Sequence, residues 1–344
     1  MKIALCSSMV PFAKGGYRNV VDWLALVLQE HGHHVETVYL PQSNNVDNLF
    51  RQLGAYRWIH LEDADRIICF RPQAHLIPHP HKILWFIHHI REFYDLWDHP
   101  EYRLVPDNAK SRGIRNALHS VDTRALQEAR KIFTSSRVIS DRLKKSNDIE
   151  SEVLYPPIFQ SERFSNQGMN DELLCVCRMA PHKRQHLLVE AMAYVKTSVR
   201  LRLCGPSSPE YAEKLNSLIR SYHLQGRVTI DDRWIGEEEK VQLFGSCFAA
   251  AYLPRDEDFY GYPTLEAAHS SKALLTTTDA GAVSEFVVNG HNGCVAEPVP
   301  QEIASSIDAL YNDRQATQAM GDHARDQINK MGISWSHVLE RLLS

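Results

Sequence analysis

The sequence predicts an α/β protein of two doubly wound domains, and three observations predict it. Apolar runs of strand length alternate with helical patterns along the chain. The alternation is broken once, at VLYPPIF (153–159) and the polar stretch that follows, and then restarts. The chain has 344 residues, more than one hydrophobic core usually organises. With 44% hydrophobic and 23% charged residues, the composition is that of an ordinary globular protein.

The opening reads strand, glycine loop, helix: KIALC is an apolar run, AKGG a breaker, and Val20, Trp23, Leu24, Val27 and Leu28 recur at helical spacing until Gly32. Strand-like runs follow at 34–40, 65–70, 82–87 and 131–135. After the break the order is strand 172–178, helix 183–195, strand 200–205, helix 209–224, strand 227–231, helix 237–245 and strand 248–253. Such alternation predicts parallel sheets covered by helices. The domains expected are 1–157 and 168–330, with the terminal helix 335–344 able to pack back on the first. Ligands of paired α/β domains are expected in a cleft at the carboxyl ends of the two sheets.

A net charge of −4, from 42 acidic and 38 basic side chains, supplies no global positive field, so nucleic acid is not an expected partner. The N-terminal apolar run is too short for a signal peptide, and no later stretch is long enough to span a bilayer, which points to the cytosol. The seven cysteines read as reduced and mostly buried. Cys175 and Cys177 have no second pair to complete a metal site, and His75, His79, His81, His88 and His89 show no ligand spacing, so no metal is expected.

Residues 254–298 carry the chemistry. Their order is acid, glycine turn, proline, helix with Glu266, strand, glycine turn, helix with Glu285. Pro263 suits the first turn of a helix, so the N–H groups near Gly261, Tyr262 and Thr264 are expected to point outward together and bind an anion. Asp258 and Glu266 would accept hydroxyl pairs of a sugar and a ribose. The bland alternative is a solvated acidic loop, Asp256 to Asp258, with Glu266 on a helix surface.

This stretch resembles the signature of family 4 of the retaining glycosyltransferases, an E-x7-E spacing followed by a G-G-x-x-E turn. Asp258 and Glu266 hold the two acidic positions, and Gly281, Ala282 and Glu285 the second turn. The first acid is Asp here, and Phe259 stands where a glycine is common. If Tyr260 is read as an insertion, Glu257 takes the first acid's place.

The segment VCRMAPHKRQHLLVEAM (176–192) is similar to the family's strand, loop and helix, with Arg178 and Lys183 at its two basic positions and Cys177 in place of the usual glycine. Two such cations can neutralise the charge gathering on a departing diphosphate. The alternative is a solvated basic helix start, which the helix dipole disfavours without a compensating anion. Gly15 and Gly16 correspond to the family's N-terminal glycine loop, which brings backbone close to the donor phosphate or the acceptor and makes the two glycines donor-binding candidates, and His88 corresponds to a histidine beside the transferred sugar. Ser136 is suited to be a helix N-cap.

The resemblance implies the GT-B fold, two Rossmann-like doubly wound domains facing each other across a cleft. It also implies a nucleotide diphosphate sugar donor bound by the second domain, a glycan or lipid-linked acceptor bound by the first, and front-side displacement with no cofactor or metal. The alternatives are a non-catalytic sugar-binding or scaffold subunit, a nucleotide-sugar epimerase or a phosphorylase. A nicotinamide-dependent dehydrogenase is disfavoured, since no G-x-G-x-x-G follows the first strand. Basic residues Lys110, Arg112, Arg115, Arg124, Arg130 and Lys131 read either as one face of a solvated helix or as a surface docking on the anionic inner face of a membrane.

Overall fold

The structure, a computed structural model, describes residues 1–12, 15–42, 45–99 and 103–344. Ala13 and Lys14 of the AKGG loop lie outside these. The chain divides into two compact units, 1–157 with 334–344, and 158–333.

The first unit runs β1 (Lys2–Met9), α1 (Gly16–Glu30), β2 (His34–Pro41), α2 (Leu49–Arg57), β3 (Arg66–Cys69), β4 (Lys82–Phe86), α3 (Ala109–Gln127), β5 (Lys131–Thr134), α4 (Arg137–Asn147) and β6 (Glu152–Val153). The second runs β7 (Glu172–Val176), α5 (Gln185–Met192), β8 (Arg200–Cys204), α6 (Pro209–Ser221), β9 (Val228–Asp231), α7 (Glu237–Ser246), β10 (Ala249–Ala251), α8 (Tyr262–His269), β11 (Ala273–Thr277), α9 (Val283–Phe286), β12 (Gly293–Ala296), α10 (Pro300–Asn312) and α11 (Arg314–Lys330). The last helix, α12 (Trp335–Leu343), returns to the first unit.

Each unit is built on a six-stranded sheet, ordered β2-β1-β3-β4-β5-β6 in the first and β12-β11-β10-β7-β8-β9 in the second, and the pairs along both are parallel. The apolar runs become strands because a parallel sheet is covered by helices on both faces and has no solvated side. Leu5, Ile67, Leu84 and Phe133 in one sheet, and Leu173, Leu203, Ala249 and Leu275 in the other, are buried.

One expected helix begins later. Residues 181–183 form a single 3-10 turn, Arg184 takes a left-handed backbone (φ 56°), and α5 starts at Gln185. The seven cysteines are free, with Cys177 and Cys294 half-buried and the rest buried. Ser136 caps α4, its hydroxyl accepting from the Ile139 N–H at 3.2 Å. No helix among the described residues is long and apolar enough to cross a membrane.

The basic stretch around α3 is largely engaged within its own unit. Lys110 pairs with Asp47, Arg112 with Asp107, Arg115 donates to the Phe93 carbonyl, Arg130 to that of Pro80, and Lys131 to Ser344.

Beneath α3 lies a polar core. His75 Nε2 meets Asp122 Oδ1 at 2.8 Å, the Tyr94 hydroxyl donates to Asp122 Oδ2 at 2.7 Å, and the His89 ring stacks on Tyr94 at 4.0 Å. His89 is 3% exposed, meets Asn147 Oδ1 at 2.8 Å, and burial pushes its pKa down to about 4. Between the usual histidine value of about 6.5 and that lower value, the unfolded chain binds a proton that the folded chain refuses. His89 therefore contributes stability that is complete above about pH 6.5 and lost as pH falls towards 4. Urea midpoints compared at neutral and mildly acidic pH should fall on acidification, with a smaller fall in His89→Phe; an equal fall in both would contradict this assignment.

Candidate active site

In the second sheet the chain order reverses between β7 and β10, a topological switch point, and ligands of such sheets bind outside the carboxyl ends of the strands there. Two loops leave this edge, one after β7 carrying Arg178 and Lys183, one after β10 carrying Glu257 and Asp258. The fold thus brings together segments more than seventy residues apart (Lys183 to Glu257, |i−j| = 74).

Lys183 Nζ donates to the Tyr252 hydroxyl at 2.7 Å and pairs with Glu257 Oε2; the Tyr252 hydroxyl donates to the same carboxylate oxygen at 3.2 Å. The two charged side chains retain 13% and 18% of their surface, so the pair is recessed but reachable. Burial, and then the charge of Glu257, hold the Tyr252 hydroxyl well above its usual pKa, so it stays a protonated donor. The compensating anion that a basic helix start requires is thus Glu257. Arg178 is exposed, and its guanidinium has no hydrogen-bond or ion-pair partner among the described residues. Cys177, where a glycine is usual, accepts from Gln185 Nε2 at 3.0 Å through its sulfur.

Glu257 is fixed through its backbone. Its N–H donates to the Ala280 carbonyl and its carbonyl accepts from the Ala282 N–H, a parallel bridge opposite Gly281. Gly281 has φ 67°, and a Cβ there would stand 2.5 Å from both the N and O of Glu257. Only glycine lets the second turn lie flat against the acidic loop. The same holds at Gly261, where φ is 73° and a Cβ would fall 2.3 Å from the Tyr252 ring.

Arg184, a residue the sequence reading passed over, locks this edge. It is 9% exposed; its guanidinium donates to the carbonyls of Leu253 and Pro254, to Thr277 Oγ1, and to both carboxylate oxygens of Asp279, at 2.7–2.8 Å. One side chain from the β7 loop therefore ties down the ends of β10 and β11. Its position directly before a helix, beside Lys183, and the Asp279 preceding a glycine turn were the signals available in the sequence.

The turn after Gly261 departs from expectation in one respect. Pro263 sits in the first turn of α8, but the Thr264 N–H donates to the Gly261 carbonyl at 3.1 Å and its hydroxyl to the Tyr260 carbonyl at 2.6 Å. Thr264 is buried and its donors are spent closing the turn, so its N–H is not the outward donor expected. Glu266 is no helix-surface residue: it is 4% exposed and pairs with Lys240 Nζ at 2.6 Å. Burial pushes its carboxyl up in pKa while Lys240 opposes the shift. Asp258 is half-buried in the same loop.

In the first unit Gly15 is the N-cap of α1 with an extended backbone (φ −169°), a conformation open to any residue, and a Cβ there would make only ordinary contact with Tyr17. Gly16 is the first helical residue. The histidine pair after β4 divides: His89 is locked in the core, while His88 is half-buried, with Nδ1 on the His89 carbonyl. Burial and then the charge of Arg71 push the His88 pKa to about 3, so its ring is neutral at pH 7. Among the described residues no group of three or more His, Cys, Asp or Glu gathers to hold a metal.

Residues 159–327 match the model of a family described as Glycosyl transferases group 1. Over 120 residues, 35% of this chain, the sequence is 28% identical to the alpha-1,3/1,6-mannosyltransferase ALG2 of Dictyostelium discoideum. Over 210 residues, 60% of the chain, it is 24% identical to an uncharacterized glycosyltransferase of Methanocaldococcus jannaschii. These stretches span 28% and 56% of the two relatives.

Among solved structures, Anabaena HepE in complex with UDP and glucose is similar at TM-score 0.72 and 17% identity, covering 100% of this chain and 98% of that one. Sucrose-phosphate synthase from Thermosynechococcus elongatus is similar at 0.77 and 16%, covering 98% and 97%. WaaG, a glycosyltransferase involved in lipopolysaccharide biosynthesis, is similar at 0.71 and 18%, covering 95% of each. At such identities the likeness is one of fold, the GT-B class of two Rossmann-like domains. The family match falls on the unit that carries Lys183, Glu257 and Glu266, and it is this second unit that is identified with the glycosyl transferases group 1.

Proposed function

We propose that this protein is a retaining, family 4 hexosyltransferase that moves a sugar from a nucleotide diphosphate donor to a glycan or lipid-linked acceptor in cell-surface polysaccharide synthesis. The observation that carries the reading is the recessed Lys183–Tyr252–Glu257 cluster at the β7/β10 switch point, with the exposed Arg178 on the same loop. In this reading the second unit holds the donor. Arg178 and Lys183 take the charge that builds on the diphosphate as the glycosidic bond breaks, and no metal is required. Glu266 holds the ribose hydroxyls, Asp258 and Glu257 meet hydroxyls of the transferred sugar, and the Gly261–Pro263 turn approaches it closely.

The first unit takes the acceptor; at the carboxyl edge of its sheet Gly15 and Gly16 bring backbone close to the donor phosphate or the acceptor, and His88 serves the transferred sugar. The acceptor hydroxyl attacks the anomeric carbon on the face the diphosphate leaves, and its proton passes to a phosphate oxygen of the leaving group. Catalysis then rests on positioning and electrostatics. HepE carries UDP, which makes uridine the base we expect; WaaG, with its lipopolysaccharide role, supports the acceptor class.

Thermal shifts with UDP, GDP, ADP and dTDP test the donor site, since a ligand at 100 times its Kd stabilises by about 2.7 kcal/mol. One diphosphate should stand out, with its shift lost in Glu266→Gln. If no nucleotide shifts the wild-type transition, the transferase reading gives way to the scaffold one.

A further inference from the structure

The carboxyl edge of the first sheet contains a buried cation that no carboxylate among the described residues neutralises. Arg71 follows β3, is 7% exposed, and its Nε and Nη1 are buried with no hydrogen-bond partner among the described residues. Its guanidinium lies 3.9 Å from the centre of the Tyr17 ring, in the first turn of α1. The ring face attracts the cation and the Tyr17 hydroxyl lies close enough to accept from it, but neither carries a counter-charge. No carboxylate among the described residues pairs with it, and the neighbouring groups on the packed elements, Tyr17, Tyr56 and the neutral His88, bring no negative charge. An ionised side chain is costly to bury without partners, so a fold that keeps one is set up to receive them.

Its position agrees. In the order β2-β1-β3-β4-β5-β6 the chain leaves β1 for β2 on one side and returns for β3 on the other, which makes β1/β3 the switch point of this sheet. The fifteen-residue helix α1 starts there, with no side-chain cap on its first N–H groups and no acidic residue in its first turn. A helix start of this kind presents free donors and the positive end of the dipole. Switch point, helix start and unneutralised guanidinium coincide.

We propose that the β1/β3 crevice is an anion pocket, built by Arg71 and the first turn of α1, that holds a phosphate or carboxylate group of the acceptor. The word acceptor rests on the transferase reading above; the pocket itself does not. The donor diphosphate already has its cations on the second unit, in Arg178 and Lys183, so a cation built into the first unit serves the second substrate. The acceptor is therefore an acidic one, a phosphorylated sugar or lipid or a uronic acid. The neutral His88 ring adds no charge and is left to meet a hydroxyl beside the anion.

The test compares wild type with Arg71→Met, without nucleotide, titrating inorganic phosphate, glucose 6-phosphate, glucuronate and glucose at fixed ionic strength. The charged probes should raise the wild-type Tm and neutral glucose should not; the stronger of the two sugar acids identifies phosphate or carboxylate as the group held. In Arg71→Met the charged probes should bind at least about tenfold more weakly. Its ligand-free Tm should be unchanged or higher, because an unpaired buried charge has been removed, and its nucleotide shift should be intact.

The pocket is refuted if charged probes leave the wild type unmoved or bind Arg71→Met equally well. A lower Tm with unchanged anion binding would make Arg71 structural, and loss of the nucleotide shift alone would assign it to the donor. Should Arg71→Met fail to fold, Arg71→Lys, which keeps the charge but not the fork, should bind the charged probes with intermediate affinity, and wild-type affinity there would count against the pocket. Absence of any nucleotide shift in the wild type would remove the transferase reading and leave the anion result standing.

Discussion

Lys183→Ala is expected to lower kcat/KM by about 10²–10³-fold, the scale set by losing one preorganised charge at a developing anion. Part of that loss has a distinct origin. Lys183 also neutralises Glu257, and its removal leaves a recessed carboxylate, 18% exposed, facing an incoming diphosphate. Adding Glu257→Gln to Lys183→Ala should therefore recover part of the loss, a coupling that a double-mutant cycle reads directly. Steady-state kinetics with the nucleotide sugar identified by thermal shift would check it. Wild-type kinetics in Lys183→Ala would remove the lysine from the donor site, and strictly additive losses would deny the coupling to Glu257.

Arg184→Ala is expected to destabilise the second unit by about 3 kcal/mol, the lower part of the range for breaking a buried ion pair, because Asp279 keeps 38% of its side-chain surface in contact with solvent. Besides Asp279, the change strands the Leu253 and Pro254 carbonyls and the Thr277 hydroxyl. For a unit of this size that is a fall in Tm of roughly 6–12 °C. Arg184→Lys should recover little, since an ammonium cannot reproduce a planar fork that reaches both Asp279 oxygens and the carbonyls. Calorimetry on the three proteins decides the matter; an unchanged transition in Arg184→Ala would mean the latch contributes nothing measurable.

The arrangement around Arg184 also shows where reading the sequence stops. Helical spacing through 185–192 is legible because its apolar face is periodic, but the pattern runs on through Lys183, and nothing local says that Arg184 leaves the helix. Its left-handed backbone is sustained by Asp279, ninety-five residues away, and a contact of that separation leaves no local periodicity. Glu266 is similar: at its position in α8 a carboxylate reads equally well as surface, and its burial follows from Lys240 on the neighbouring helix. Lys82, at the head of a strand-like run, is fully buried because the His75 and Ala125 carbonyls and Glu128 satisfy its ammonium.

By itself the sequence determined the class of the fold, because buried parallel strands must be continuous apolar runs and the helices covering them must carry an apolar stripe, both local properties of the chain. It also marked two turns beside the switch point of the second sheet, since Gly261 and Gly281 take a positive φ that only glycine adopts without strain. Only the tertiary structure decided the strand orders, and with them the switch points, because those depend on which strands pair across long separations. It alone decided that Glu257 pairs with Lys183, that Thr264 spends its donors inside its own turn, and that no carboxylate among the described residues pairs with Arg71. Each is a balance of desolvation against partners that distant segments supply, and that balance exists only once the segments meet.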